Sequence, residues 1–154
     1  MMISKKTKYG LLALLALARK FGAGPVQIAD LAEEEGIPRK FLELILLQLK
    51  NAAILESRKG KGGGYFLAKD PAMVTMGQAI RVLEGSLAPT PCVNETDYQK
   101  CEECADEATC GIRLVMKDVH NAIVAILDHT SLKDVLNRSH EAAKAARGVI
   151  DFNI

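Results

Sequence analysis

Cys92, Cys101, Cys104 and Cys110 are the only cysteines of this 154-residue chain, and they fall within 19 residues in the spacing C-x8-C-x2-C-x5-C. Thiolates grouped this closely bind soft metals or exchange electrons. Three chemistries follow: an iron–sulfur cluster, a structural zinc ion, or a thiol–disulfide switch centred on Cys101-Glu102-Glu103-Cys104. The same segment holds six acids, Glu95, Asp97, Glu102, Glu103, Asp106 and Glu107, against one base, Lys100. Negative charge at that density opposes a bare thiolate, but matters less once a cation holds the sulfurs deprotonated. A metal site is therefore preferred over a redox pair. Zinc favours two short C-x2-4-C pairs and only one exists here, whereas the long gaps suit a loop wrapped around a larger group. The spacing ranks a cluster first, zinc second and a disulfide switch third. The three histidines, His120, His129 and His140, lack cysteine-like spacing and read as surface or helix-end residues, not ligands.

A second concentration of chemistry lies upstream. From Pro38 to Lys69 there are seven bases, Arg39, Lys40, Lys50, Arg58, Lys59, Lys61 and Lys69, and two acids, Glu43 and Glu56. The formal net charge of +1 conceals this asymmetry: residues 1–91 carry 13 Lys and Arg against 8 Asp and Glu, and residues 92–154 carry 7 against 11. A basic stripe is either a solvated face or the footprint of a polyanion. The elements beneath it decide between them.

Those elements read mainly as helices. Tyr9, Leu11, Leu12, Leu14, Leu15 and Leu17 form a broad apolar surface ended by Phe21-Gly22-Ala23-Gly24-Pro25. A second helix is expected from Gln27 to Glu34, burying Ile28, Ala29, Leu31 and Ala32, with Gly36 as its stop. Pro38 suits the first position of a third, whose apolar stripe is Phe41, Leu42, Ile45, Leu46 and Leu49 and which ends near Asn51. Two helices joined by so tight a turn form a helix-turn-helix pattern. Ile54 to Arg58 reads as a strand, Lys59-Gly60-Lys61-Gly62-Gly63-Gly64 as a basic turn, and Tyr65-Phe66-Leu67 as the returning strand, which makes a wing. A nucleotide-phosphate loop is excluded, since the run lacks a Gly-Lys-Ser/Thr ending and no helix follows directly. Thr75-Met76-Gly77-Gln78 has the form of a capping box and opens a helix to Glu84, with Gly85 as its stop.

The last third presents the cysteine loop, a strongly apolar helix and a short helix near Ser131 to Asn137; beyond His140 the tail, rich in Ala, Lys and Arg, is expected as a fraying helix or as disorder. In the apolar helix Ile112, Val115, Met116, Val119, Ile123, Ile126 and Leu127 make one stripe, widened by Leu114 and Val124 beyond what one small domain needs. A two-fold dimer contact is the expected use of the surplus.

At 49% hydrophobic and 25% charged the chain is too apolar for intrinsic disorder and long enough for a core without disulfides. Its longest near-continuous apolar run, Gly10 to Ala18, falls short of the ~20 residues of a bilayer span, and no export signal follows it. A cytoplasmic protein with no membrane partner is expected. Neither paired carboxylates nor a Ser/His/Asp arrangement stands out, so an enzyme or iron–sulfur electron carrier has little support. The fold class expected is mainly α with a small β-hairpin wing: a winged helix-turn-helix domain over residues 1–85, a cysteine-rich cluster-binding loop over 86–111, a long dimerisation helix and short C-terminal helix over 112–140, and a tail over 141–154.

The chain resembles the family of winged-helix transcription regulators typified by IscR, NsrR and CymR. The residues that carry the likeness are Thr7-Lys8-Tyr9-Gly10, Gly24-Pro25-Val26, Ile28-Ala29-Asp30, Gly36-Ile37, Phe41-Leu42-Glu43 and, above all, Gly60-Lys61-Gly62-Gly63-Gly64-Tyr65 followed by Leu67. The resemblance implies a homodimer that grips double-stranded operator DNA through the third helix and the wing, with an iron–sulfur cluster, 2Fe-2S or 4Fe-4S, as sensor of iron, redox state or nitric oxide in several members. Cys92, Cys104 and Cys110 match the cluster cysteines that the likeness implies. The family's fourth ligand does not match: Arg113 stands where one branch has a histidine, and Lys8 where another has an aspartate. Cys101 is the substitute, giving all-cysteine ligation or three cysteines with an exogenous ligand; zinc remains the alternative metal. For DNA, Arg39, Glu43 and Lys50 share one helix stripe with Lys40 beside it, suited to phosphate, guanine or cytosine, while Arg58, Lys59 and Lys61 track phosphate or an adjacent minor groove.

Overall fold

Apolar spacing and turn chemistry produce eight regular elements in the computed structural model, which describes residues 3–152: α1 (Lys5–Arg19), α2 (Ile28–Glu35), α3 (Arg39–Asn51), β1 (Leu55–Arg58), β2 (Gly64–Leu67), α4 (Met76–Glu84), α5 (Gly111–Leu127) and α6 (Leu132–Phe152), with short 3₁₀ turns between some of them. This is the mainly helical fold with a hairpin wing that the sequence predicts. No helix among the described residues is long and apolar enough to cross a membrane.

Helix α1 packs against α2, α3, α4, α6 and β2, and buries Ala13, Leu14, Ala16 and Leu17 among them. Its first turn is tied to the end of α4: Ser4 caps α1 by accepting from the Thr7 N–H, and the Glu84 carboxylate accepts from the Ser4 N–H at 3.1 Å, the Ser4 hydroxyl at 2.7 Å and the buried Thr7 hydroxyl. Those donors hold the Glu84 carboxyl below the ordinary carboxylate range, the Thr7 hydroxyl first among them. Helix α2 buries only Leu31 fully; Ile28 and Ala32 are half-buried, and Ala29, expected inside, is exposed because a two-turn helix presents too narrow a face to cover four positions. Pro38 stands as the N-cap of α3, one residue before the position expected for it.

The hairpin pairs Leu55 with Leu67 and Arg58 with Gly64, so Leu55 and Leu67 point into the core while Arg58 lies outside over the Phe66 ring, 5.2 Å from its centroid. Two of the turn glycines are structural. A Cβ on Gly63 would overlap the Arg58 carbonyl, and one on Gly64, at φ +150, would overlap the carbonyl of Val26, whose backbone pairs with Tyr65 in both directions at 2.8 and 2.9 Å. The wing is thus clamped at its base to the segment before α2.

Thr75 caps α4 as its sequence predicts, accepting from the Gln78 N–H at 3.1 Å. After the cysteine loop and α5, the chain returns to the winged body. Met76 N–H donates to the Thr130 carbonyl at 2.8 Å, Leu132 N–H donates to the Val74 carbonyl at 2.9 Å, and the Leu132 side chain is fully buried in the common core. Burial of one leucine to that degree stabilises by roughly 1.5–3 kcal/mol. Helix α6 then runs without a break through Asn137, where a short helix was expected to stop. Ala142, Ala143, Ala145 and Ala146 are strong helix formers and no Gly or Pro interrupts them before Gly148, so the helix continues although Asn137 to Arg147 are exposed. The segment expected as a tail is therefore helical through Phe152, and residues 153 and 154 lie outside the described part.

The far end of α5 is pinned to α4 by a two-pronged ion pair, Arg81 Nη1 to Asp128 Oδ1 at 2.6 Å and Nη2 to Oδ2 at 2.9 Å. The Arg81 guanidinium, chiefly through its hydrogen bonds, holds the Asp128 carboxyl below its ordinary range. A carboxyl depressed in the folded state contributes stability above its unfolded pKa and loses it as pH falls through the folded one. The stability gap between the protein and its Asp128→Asn variant should therefore be constant above the carboxylate range and should close as pH falls through and below it. Because both side chains are partly open to solvent, the gap should not exceed about 1 kcal/mol. Urea midpoints measured over a pH series test this; a gap that widens in acid contradicts it.

Candidate metal centre and nucleic-acid interface

The cysteine loop is irregular because its residues favour turns over periodic structure. Asn94 folds one turn by accepting from the Thr96 and Asp97 N–H groups, and Asp106 folds another by accepting from the Ala108 N–H at 3.0 Å. Cys92 lies in the 3₁₀ turn Pro91–Val93, Cys101 and Cys104 flank a tight turn closed by Cys104 N–H to the Cys101 carbonyl at 3.1 Å, and Cys110 is the N-cap of α5. All four thiols are free.

These turns bring the four cysteines to one cavity of about 400 Å³, whose other walls include Pro91, Lys100, Ile112 and Arg113. Cys92, Cys104 and Cys110 are half-buried there, and burial, together with the neighbouring Cys110 and Cys92, pushes the Cys104 thiol up. Cys101 is exposed, and its Sγ turns to the Glu103 carboxylate at 2.9 Å; that hydrogen bond raises the Cys101 thiol and lowers Glu103. Among the described residues no three Cys, His, Asp or Glu side chains converge as a single metal ion requires. Four soft sulfur donors on one cavity are the donor set of an iron–sulfur group or of a zinc ion. Arg113 is no ligand: its Nε donates to the Cys92 carbonyl at 3.3 Å, tying the loop to the first turn of α5.

Of the histidines, His129 sits at a helix end with Nδ1 against the Ala125 carbonyl at 2.9 Å, and His140 is exposed, as expected. His120 departs from the expectation. It is buried, 8% exposed, with no hydrogen-bond partner for Nδ1 among the described residues, because it faces the segment after α4 and the start of the cysteine loop around Leu87, Asn94 and Glu95. The apolar stripe of α5 departs too. Its expected core side is outside: Ile112 is 73%, Val115 57% and Ile126 61% exposed, and Val119 is exposed with them, while Met116, Ile123, Val124 and Leu127 are half-buried. Of the two residues expected in surplus, Leu114 is exposed and Val124 is half-buried, and the outer strip of Ile112, Val115, Val119 and Ile126 is exposed among the described residues.

On the basic side, Arg39, Lys40, Glu43 and Lys50 are all exposed on α3, opposite the fully buried Leu42, Ile45, Leu46 and Leu49. Arg39 Nε pairs with Glu43 Oε1 at 3.4 Å, so Glu43 is held within the basic row and does not stand apart from it. Arg58, Lys59 and Lys61 are exposed on the wing. Sequence reasoning missed two residues of this face. Leu44 and Leu47 are 66% and 47% exposed, and the signal was available: at 100° per residue they share a face with Lys40 and lie across the helix from the core leucines.

Residues 3–138 match the family described as Rrf2, an iron-dependent transcriptional regulator. The chain is 40% identical over 146 residues to a rrf2-like HTH-type transcriptional regulator of Rhodobacter capsulatus, which covers 93% of this chain and 97% of that protein. It is also similar to the solved structure of CymR, described as the global cysteine regulator of B. subtilis, at a TM-score of 0.75 and 31% identity over 90% of this chain and 98% of that one. To the solved IscR of T. potens the TM-score is 0.71 and the identity 32%, over 92% and 90% of the two chains.

Proposed function

Since the chain belongs to the Rrf2 family of transcriptional regulators, DNA-binding proteins and not enzymes, we propose that it acts in the cytoplasm as a homodimer whose operator binding is set by an iron–sulfur group at the cysteine cavity. The observation that carries this reading is the position of Cys110: one of three half-buried thiols around a common cavity is also the N-cap of α5. Cys92, Cys104 and Cys110 would hold the group, and Cys101, on the same cavity, would complete the set by turning away from Glu103. When bound, the group supplies a centre whose charge and integrity respond to iron supply, electrons or nitric oxide.

The remaining steps belong to the chain's own residues. Cys110 and Arg113 fasten the loop to the start of α5, and Arg81 and Asp128 fasten the end of α5 to α4, which packs on α1 and α3. Ordering or releasing the loop thereby bears on the helix carrying the DNA-facing row. The outer strip of α5 is the proposed dimer contact, so the same helix sets how two copies of α3 are spaced across an operator. Arg39, Lys40, Glu43 and Lys50 would meet base edges and phosphates, and Arg58, Lys59 and Lys61 the backbone beyond. A thiol switch receives less support, since the exposed Cys101 turns to Glu103, whose hydrogen bond raises its thiol and so disfavours the reactive thiolate; zinc on the same sulfurs is the second reading.

Anaerobic reconstitution with iron and sulfide, applied to the wild type and to Cys104→Ser/Cys110→Ser, tests the proposal. The wild type should take up iron and acid-labile sulfide and absorb in the visible, the variant should do neither, and operator affinity should differ between the loaded and unloaded wild type. Equal affinity in both states would defeat the sensing role.

A further inference from the structure

We propose that Leu44 and Leu47 read thymine 5-methyl groups in the major groove, an inference that rests on the DNA-binding role of α3 and adds a specificity-determining strip to it. The core has no use for either side chain. Helix α3 buries Leu42, Ile45, Leu46 and Leu49 completely, and Phe41 turns to Tyr9, edge to face at 5.7 Å between ring centroids. Leu44 and Leu47 are left 66% and 47% exposed on the opposite side.

Their neighbours identify the occupant. Lys40 lies one turn before Leu44, Glu43 lies one turn before Leu47, and Lys50 lies three residues after Leu47, so the two leucines form an apolar strip inside a charged row. An interface for another protein would be expected to exclude charge from its centre and confine it to the rim, whereas here Lys40 lies within one turn of Leu44, Lys50 within one turn of Leu47, and Glu43, paired with Arg39, within one turn of both. A helix lying in the major groove meets hydrogen-bonding edges and one apolar feature, the methyl of thymine. Charged residues that reach phosphate or base edges, interleaved with leucines that reach methyls, match that surface point by point. Leucine offers no hydrogen bond, so its contribution is discrimination of thymine from cytosine and uracil at the positions it covers.

The test needs no knowledge of the natural operator. Duplexes selected by the wild-type protein from a random-sequence library are resynthesised with deoxyuridine at single thymines, which removes a methyl and leaves every hydrogen-bonding group in place. They are then titrated with the wild type, Leu44→Ala, Leu47→Ala and the double variant. The wild type should weaken about fourfold for each contacted methyl lost, and about tenfold or more for a symmetry-related pair. The variant lacking the contacting leucine should be indifferent to the same replacement, giving a coupling in the mutant cycle. Wild-type affinity unchanged by uracil at every position would overturn the inference, as would a double variant that keeps the full uracil penalty. The uracil arm uses only the wild-type protein, so it does not depend on how the variants fold. Failure to select any sequence would instead remove the DNA-binding reading on which the inference stands, and the inference with it.

Discussion

Val115→Asp/Val119→Asp should leave a folded monomer whose operator affinity is lower by at least about a hundredfold. Both side chains are exposed and lie on the outer strip of α5 with Ile112 and Ile126, so the substitution removes no packing from the chain's own core. In the proposed dimer each change is made twice across the two-fold axis, placing four carboxylates in an apolar contact that cannot pair them. A dimer engages its second half-site at an effective concentration set by the first, and that advantage, on the order of 10²–10⁴, is what a monomer forgoes. Light scattering after size exclusion reports the mass, thermal unfolding reports the fold, and retardation of intact and half-site duplexes reports the coupling. A variant that remains dimeric would show that another surface joins the copies.

Removal of the wing charges should have the next largest effect. Lys59 and Lys61 are exposed at the tip of the β1–β2 hairpin, beside glycines whose conformation the Ala changes leave alone. If each lysine neutralises one phosphate, Lys59→Ala/Lys61→Ala deletes four contacts per dimer, and the slope of log affinity against log salt should become shallower by roughly 3–4. At physiological salt this corresponds to a loss of roughly a hundredfold to a thousandfold, felt almost equally by all sequences, because phosphate contacts carry no base information. An unchanged slope would move the wing off the backbone. The contrast with Leu44 and Leu47 is diagnostic: their replacement should alter sequence preference and leave the salt slope intact.

Much of this protein is written locally, and those parts were legible from residues alone. The Thr75 cap and the breaker cluster after α1 act over a few residues, and the 3.6-residue period of the core leucines acts along a single helix, so no distant partner is needed to read them. The wing was legible for a related reason, since strand, glycine turn and returning strand are contiguous, although only the tertiary structure shows that Gly64 answers to the Val26 carbonyl. Periodicity states which residues share a face and is silent on what the face meets. That is why Ile112, Val115, Val119 and Ile126 of the α5 stripe are exposed while Met116, Ile123 and Leu127 are half-buried, and why His120, expected at the surface, lies buried. It is also why Cys101, equivalent to the other cysteines by spacing, turns from them toward Glu103. The continuation of α6 past Asn137 was legible in its alanines but was outweighed by their exposure, which propensity alone overcomes. The chain thus determined by itself its elements, its basic row and its cluster of thiols, all products of short-range sterics and charge. Tertiary packing decided which side of α5 is left exposed and that His120 is buried, because burial depends on surfaces contributed by residues far apart in sequence.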